Sequence, residues 1–370
     1  MLRGTSQRPP SWATVVLSLA GLLGGCGDTG GLRQIAGEDA GSGVGCDRVA
    51  SPRGSNSGPG TKSRPLRTVQ KLIDVVAPGQ TACLRAGTYH GARPYGDGHE
   101  EIRVAQPGIT LTSYPGERAT VVGRLRIEVG ADRVTVSDLR LVGTNAHRNS
   151  SPTVNADGVV LKGNEITNGN TGICVHVGND YGAAAGTLIE RNRIHHCGQV
   201  SPRTDKEHGI YVADADGTRI LHNRIHDNAD RGVQLYPDAD RTLVASNLID
   251  GNGEGVVISG DETNASDHNT VRHNLITNSQ SSWNVYGSWR GPRPAGNVVA
   301  FNCVGSEDTR GYYDQDGGIL RSEAYEVIGN RMVSSRYTGR DVGASRTRLL
   351  VDCTDPVASL KSLLPRLLGR

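Results

Sequence analysis

The chain has 370 residues, a formal net charge of +2 at pH 7, 50 glycines and only 4% aromatic side chains. A charge this close to zero supplies no bulk attraction to nucleic acid, and no nucleic-acid partner is expected. Asn, Asp and Gly recur between short apolar runs while long amphipathic helical patterns are nearly absent, which argues against a helix bundle and for an all-β or solenoid protein.

The chain opens on a targeting segment. Arg3 and Arg8 form a weak basic region, and "WATVVLSLAGLL" at residues 12–23 is too short to cross a bilayer comfortably. The run ends in "LGGCG", which resembles a bacterial lipobox. Cys26 is then expected to be lipidated and to become the mature N-terminus, so that acyl chains hold an exported protein at the cell envelope. An ordinary export signal with an incidental cysteine is the alternative. Residues 1–26 are thus assigned to the signal peptide and lipobox, and 27–62, rich in Gly and Ser, to a flexible tether. A folded domain is expected over 63–354, followed by a C-terminal cap or tail at 355–370. Cys46, Cys83, Cys174, Cys197, Cys303 and Cys353 remain, an even set that permits disulfides in an exported protein. Their connectivity is open; the sequential pairing Cys46–Cys83, Cys174–Cys197, Cys303–Cys353 is the expectation, and buried free thiols are the alternative.

In "RPLRTVQKLIDVVAPGQTACLRAGTYHG", residues 64–91, the side chains Leu66, Val69, Leu72, Ile73 and Val76 fall at helical spacing. From there on the chain repeats. "GVVLKGNEITN", "GTLIERNRIHH", "GTRILHNRIHD", "RTLVASNLIDG", "HNTVRHNLITN", "GNVVAFNCVGS" and "AYEVIGNRMVS" share apolar residues, a polar pair and then Asn-x-Ile or a close variant. Their asparagines are Asn164, Asn192, Asn223, Asn247, Asn274, Asn302 and Asn330, and a weaker upstream copy, "RVTVSDLRLVG", puts Asp138 at the Asn position. A second strand follows most copies: "TGICVHV", "HGIYVAD", "RGVQLYP", "EGVVISG" and "GGILRSE". Such a period fits one turn of a parallel β-solenoid, with turns stacked at strand spacing of about 4.8 Å and alternate residues pointing into a continuous core.

In that frame the asparagines are structural, tolerating left-handed backbone in tight turns and bonding up and down the stack. Ile166, Ile194, Ile225, Ile249 and Ile276 form a core column. His195 and His226 share a column with Thr167, Asp250 and Thr277, which reads as a solvated turn position. The H-x-x-x-H of His222 and His226 straddles a strand and its turn and is not taken as a metal site. On the second-strand set the inward residues are expected to be Ile173, Val175, Ile210, Val212, Val233, Leu235, Val256 and Ile258. The outward ones are then Cys174, His176, Tyr211, Ala213, Gln234, Tyr236, Val257 and Ser259.

The Asn-x-Ile rungs and the glycine-led second strands resemble the right-handed parallel β-helix proteins, the pectin-lyase-like superfamily, over residues 65–353. The resemblance implies an all-β, single-stranded right-handed parallel β-helix of about nine or ten coils with an N-terminal capping helix, most simply a monomer. It does not choose a chemistry, because lyases, hydrolases, epimerases and inactive members share the fold. The tryptophan–Asp–His signature of pectate lyases, the N-T-D, D-D, G-H-G and R-I-K set of polygalacturonases and the D-P-H cluster of alginate epimerases are all missing.

One column stands out. His208, Arg231 and Glu254 precede the glycines of three consecutive coils, beside Tyr211, Gln234 and Tyr236. An extended loop, "GQVSPRTDKE", leads into His208. Loop length, mixed charge and exposed aromatics mark a candidate saccharide groove; a solvated face with ion pairs such as Arg231–Glu254 is the alternative. Uronate lyases on this fold use a basic residue to take the proton alpha to a carboxylate, and a cation, often calcium, to stabilise the resulting charge. Carried over, Lys206 or Arg231 would be the base and His208, Tyr211 or Tyr236 the acid. Gln234 and Glu254 would bind substrate. Glu207, Asp238 and Asp261, with Glu254, would offer oxygen ligands to Ca2+. The expectation is therefore a surface-anchored protein that binds an extracellular polysaccharide; whether it is an enzyme is left open, with β-elimination of a uronic-acid-containing glycan as the favoured chemistry if it is one. The alternatives are a non-catalytic glycan-binding or structural envelope protein, or a glycoside hydrolase built on Asp214/Asp216 or Asp314/Asp316.

Overall fold

A computed structural model describes residues 45–92, 100–143, 149–179, 181–199, 207–305, 318–320 and 322–332. Cys26, Lys206, Cys353, Asp314, Asp316, the expected targeting segment and the expected 355–370 cap lie outside them. All strands of the ladder run parallel, in three sheets of eleven, nine and ten strands. Among the described residues eight successive turns carry all three strands, with partial turns at both ends. Each turn visits the sheets in the same order, so they are called first, second and third by that order.

The expected tether ends early. Arg48–Ala50 is already a strand of the first sheet, paired in register with Thr81–Leu84, and Cys46 is bonded to Cys83. One helix follows, Val69–Val75, capped by Thr68, whose side chain accepts from the Lys71 N–H at 3.2 Å. Val69, Leu72 and Ile73 are fully buried against the end strands Arg48–Ala50, Thr81–Leu84 and Glu101–Val104. The apolar stripe read from the sequence thus closes the N-terminal end of the core, where an open coil would expose its apolar interior.

The repeat positions the rest. Ile166, Ile194, Ile225, Ile249 and Ile276 pair in register along the second sheet, all with no exposed surface. Between the first and second sheets the asparagines stack from Asn164 to Asn330. Asn223 shows why the column is invariant. Its Oδ1 accepts from the N–H of Asn192 at 2.8 Å and from Nδ2 of Asn192 at 3.0 Å. Its own Nδ2 donates to the Ile189 carbonyl at 2.7 Å and to Oδ1 of Asn247 at 3.0 Å. The buried amide uses every donor and acceptor it has, a set no other side chain of that size supplies.

The left-handed residue is not the asparagine. It is the residue before it: Arg191, His222, Ser246, His273 and Phe301 all have φ between 54° and 57°. Asp138 belongs to that column and not to the Asn rungs, since the N–H of Leu139 is what bonds to Oδ1 of Asn164. The histidine column is not solvated either. His195 and His226 pair in register, stack with ring centroids 5.2 Å apart and are only 7% and 4% exposed. In-register stacking presses each ring against the next. Burial, ahead of the Arg193 charge, lowers the His195 pKa to about 4, and burial likewise lowers that of His226. His222 is exposed while His226 is buried.

Two disulfides match the sequential pairing, Cys46–Cys83 and Cys174–Cys197. Cys303 is disulfide-bonded as well, and its expected partner lies outside the described residues. Cys174 corrects the expected alternation. The strand begins only at Val175, so Cys174 sits in the preceding turn, fully buried on Cys197, while Ile173 is half-buried.

Candidate functional site

The outward row of the third sheet runs in register through Thr153, His176, Tyr211, Gln234, Val257 and Tyr286. The rings of His176 and Tyr211 stack at 4.6 Å and those of Tyr211 and Tyr236 at 6.5 Å. All three are half-buried. Burial, then the charges of His208 and Arg124, hold the His176 pKa down at about 4, so this ring is neutral near pH 7. Gln234 lies in the floor of the row, with Oε1 buried and lacking a protein hydrogen-bond partner. Beyond it the row closes: Val257, expected outward, is fully buried between Gln234 and Tyr286, and Ser259 is buried too.

At the start of these strands the His208–Arg231–Glu254 column forms as expected, with Arg231 and Glu254 in register. Arg231 Nε meets Glu254 Oε2 at 2.9 Å, Nη1 lies 3.5 Å from Asp230 Oδ2, and Nη2 donates to the Tyr286 hydroxyl at 3.1 Å. His208 Nδ1 lies 3.2 Å from the same Asp230 oxygen, and the His208 side chain is only 4% exposed. Burial alone would lower the Arg231 pKa, but Asp230, Tyr286 and Glu254 outweigh it and raise it. A guanidinium held protonated this firmly is in the state opposite to the one a general base needs. Burial raises the Glu254 pKa despite Arg231 beside it. The ion pair set against a groove in the sequence reading therefore exists, and it forms the buried wall beside the aromatic row.

The remaining expected residues are dispersed. Tyr236 flanks the row, its pKa raised by burial and then by Asp261 and Glu262, so its hydroxyl stays protonated and can donate. Glu207 is buried and accepts from the Gln199 N–H at 2.9 Å. Asp261 Oδ1 is taken by the backbone N–H groups of Thr263 and Asn264, at 2.8 and 2.7 Å, which lower its pKa. Asp238 is exposed, in register with Asp214, in a shallow acidic depression with Asp157, Asp216 and Asp240. Burial and the neighbouring Asp240 and Asp214 charges raise its pKa. Among the described residues no group of three or more His, Cys, Asp or Glu side chains is disposed to hold a metal ion. With Glu254 engaged by Arg231 and Asp261 by its own backbone, the expected calcium ligands do not form a set.

Asp230 and Tyr286 were missed in the sequence. Asp230 precedes Arg231 directly. Tyr286 was reachable by carrying the column one turn further, where Trp283-Asn284 replaces the usual residue-glycine pair. Asp230 and Glu254 set their carboxylates against Arg231, and the Tyr286 hydroxyl accepts a hydrogen bond from it.

A family model described as a right handed beta helix region matches residues 129–303. Among solved structures, pectate lyase Pel9A is similar at a TM-score of 0.53 and 15% identity, over 82% of this chain and 83% of that one. XylC in complex with xylose gives 0.50 and 13%, over 77% and 69%. A tailspike mutant of E. coli bacteriophage HK620, in complex with a pentasaccharide, gives 0.50 and 14%, over 74% of this chain but 56% of its own. At these identities the likeness is one of fold. No curated protein matches the sequence.

Proposed function

We propose that this right-handed parallel β-helix protein binds an extracellular polysaccharide along the outward side of its third sheet. The observation that carries the reading is the row of half-buried rings His176, Tyr211 and Tyr236 over the buried Gln234. Stacked rings expose edges and hydroxyls, and the buried Gln234 acceptor lacks a protein donor, which together suit a ligand that is apolar on its ring faces and rich in O–H groups. Similar folds seen with xylose and with a pentasaccharide make saccharides the ligand class to test first.

The finer reading is a uronic-acid-containing glycan, cleaved by β-elimination if it is cleaved. Tyr236, whose hydroxyl burial keeps protonated, and Tyr211 stacked on it are the candidate acids. Arg231 serves as the positive wall and not as the base, which leaves Lys206 as the residue for that role. No step is routed through a cation. At the other end of the chain, Cys26 in "LGGCG" would carry the acyl anchor; metabolic fatty-acid labelling that Cys26→Ser does not abolish would refute it.

The test is incubation of the soluble domain with alginate, pectate and glycosaminoglycans, with and without calcium. Far-ultraviolet absorbance of an unsaturated uronate marks elimination, new reducing ends without it mark hydrolysis, and retention on an immobilised glycan with neither marks a binding protein. Absence of all three sinks the reading.

A further inference from the structure

The N-terminal end of the same sheet carries a second cluster. Strands Glu101–Val104 and Arg124–Ile127 pair so that Glu101 faces Arg124 and Arg103 faces Arg126. The ion pairs do not follow that register. Arg103 grips Glu128 with two bonds of 3.0 and 2.7 Å, and Arg126 takes Glu101 at 2.9 Å while reaching Glu128 at 3.5 Å. Three arginines thus share two carboxylates, and both carboxylates are engaged by Arg103 and Arg126. Among the described residues Arg124 enters no ion pair, and its Nε is buried without a hydrogen-bond partner. Burial first, and then the charge of Arg126, pull its pKa down. Glu101 and Glu128 act on Arg124 only from within their pairs with other arginines, and a charge-assisted bond to an incoming carboxylate would give this partly buried cation a partner of its own.

The surroundings fit a sugar that bears such a group. His176, the first ring of the aromatic row, feels the Arg124 charge; its Nδ1 meets Ser150 Oγ at 3.2 Å, while Nε2 is buried with no partner. On the other side Tyr181 projects from a fixed turn and is 66% exposed. Asn155 Nδ2 holds that turn by donating to Asn179 Oδ1 at 2.7 Å and to the Gly182 carbonyl at 2.6 Å, and the Tyr181 N–H donates to Asn179 Oδ1 at 2.9 Å. The Arg126 guanidinium lies 5.4 Å from the ring centroid. An exposed tyrosine on an anchored turn is a platform of the kind that packs against a pyranose face.

We propose that Arg124, His176 and Tyr181 form a subsite for the carboxylate of a uronate residue, Arg124 taking the charge and Tyr181 the ring. The subsite rests on the reading that this sheet binds a glycan, and it fixes which end of the row meets the acid group. From the Arg124–Ile127 strand to the Gln234 strand is about 19 Å, four strand spacings, so one chain of several sugars would touch both.

Titrating the protein with polygalacturonate and with its fully methyl-esterified counterpart tests this, because the two polymers share a backbone and the ester replaces each carboxylate charge by a neutral methyl ester. Arg124→Gln should weaken polygalacturonate binding about tenfold or more and leave the ester unchanged. Arg124→Lys should recover most of the loss, and Tyr181→Ala should weaken both polymers. An Arg124→Gln variant that keeps the wild-type ratio between the polymers, while Tyr211→Ala still weakens both, overturns the subsite and leaves the face standing. A wild-type protein that binds neither polymer, nor alginate or a glycosaminoglycan, removes the face and the subsite together.

Discussion

Two polar stacks run along this solenoid, and they differ in what repeats. Between the first and second sheets the same side chain recurs, from Asn164 to Asn330, with all its hydrogen-bonding capacity spent on the turns above and below. On the outward row of the third sheet the residue changes at each turn, from Thr153 to His176, Tyr211 and Gln234, and polar atoms are left over. Identity from coil to coil is what a self-satisfied column requires. Variation with unused capacity is what a surface facing a ligand shows. The stability of the fold therefore resides in the first stack and the core beneath it, and the proposed glycan-binding face in the second.

The largest effect expected of breaking that contrast is on the core side. Ile225→Ala should lower the unfolding free energy by ~2–5 kcal/mol in urea, since the column offers no slack to refill the cavity. Asn223→Leu strands the Asn192 N–H and the Ile189 carbonyl and should cost ~1–3 kcal/mol for each buried group. A comparable loss at an exposed third-sheet residue would contradict the division. Next comes Arg231→Ala, which leaves Glu254 and Asp230 buried beside each other; about 3 kcal/mol is expected, with partial recovery in Arg231→Lys.

A smaller, pH-dependent effect belongs to the buried histidines. His195 and His176 have folded pKa values near about 4 against an ordinary 6.5. The sign follows from linkage: the unfolded chain binds the proton first, so their contribution is complete above about pH 6.5 and is lost as pH falls toward 4. Urea midpoints should decline across that window, and His195→Gln should flatten the decline. A midpoint that rises on acidification would show the histidines to be charged in the fold.

Legibility in the sequence follows the same contrast. Wherever one residue type recurs, as at the Ile column, the Asn rungs and the glycines Gly209, Gly232 and Gly255 of three consecutive turns, spacing alone specifies register. The disulfides Cys46–Cys83 and Cys174–Cys197 were accessible for a related reason, because stacked turns bring sequential cysteines together. What eluded the sequence depends on offsets of one residue or on a choice among partners. Asp138 was misplaced because a left-handed residue and an asparagine sit side by side in the turn. Cys174 was turned outward because periodicity cannot say that the strand starts at Val175. His195 and His226 looked solvated because a column holding His, Thr and Asp does not reveal that its members stack and bury one another. Arg124 was invisible because its unpaired state follows only from Glu101 and Glu128 having chosen Arg126 and Arg103.

The central claim is that the varying row of the third sheet, and no other side of the solenoid, meets a glycan. Equilibrium binding of Tyr211→Ala/Tyr236→Ala to the glycan retained by the wild type, beside Arg219→Ala on the first sheet, tests it most directly. The account predicts at least about a tenfold loss for the tyrosine variant, no change for Arg219→Ala, and thermal midpoints within a few degrees of one another. Equal binding by all three proteins would contradict it.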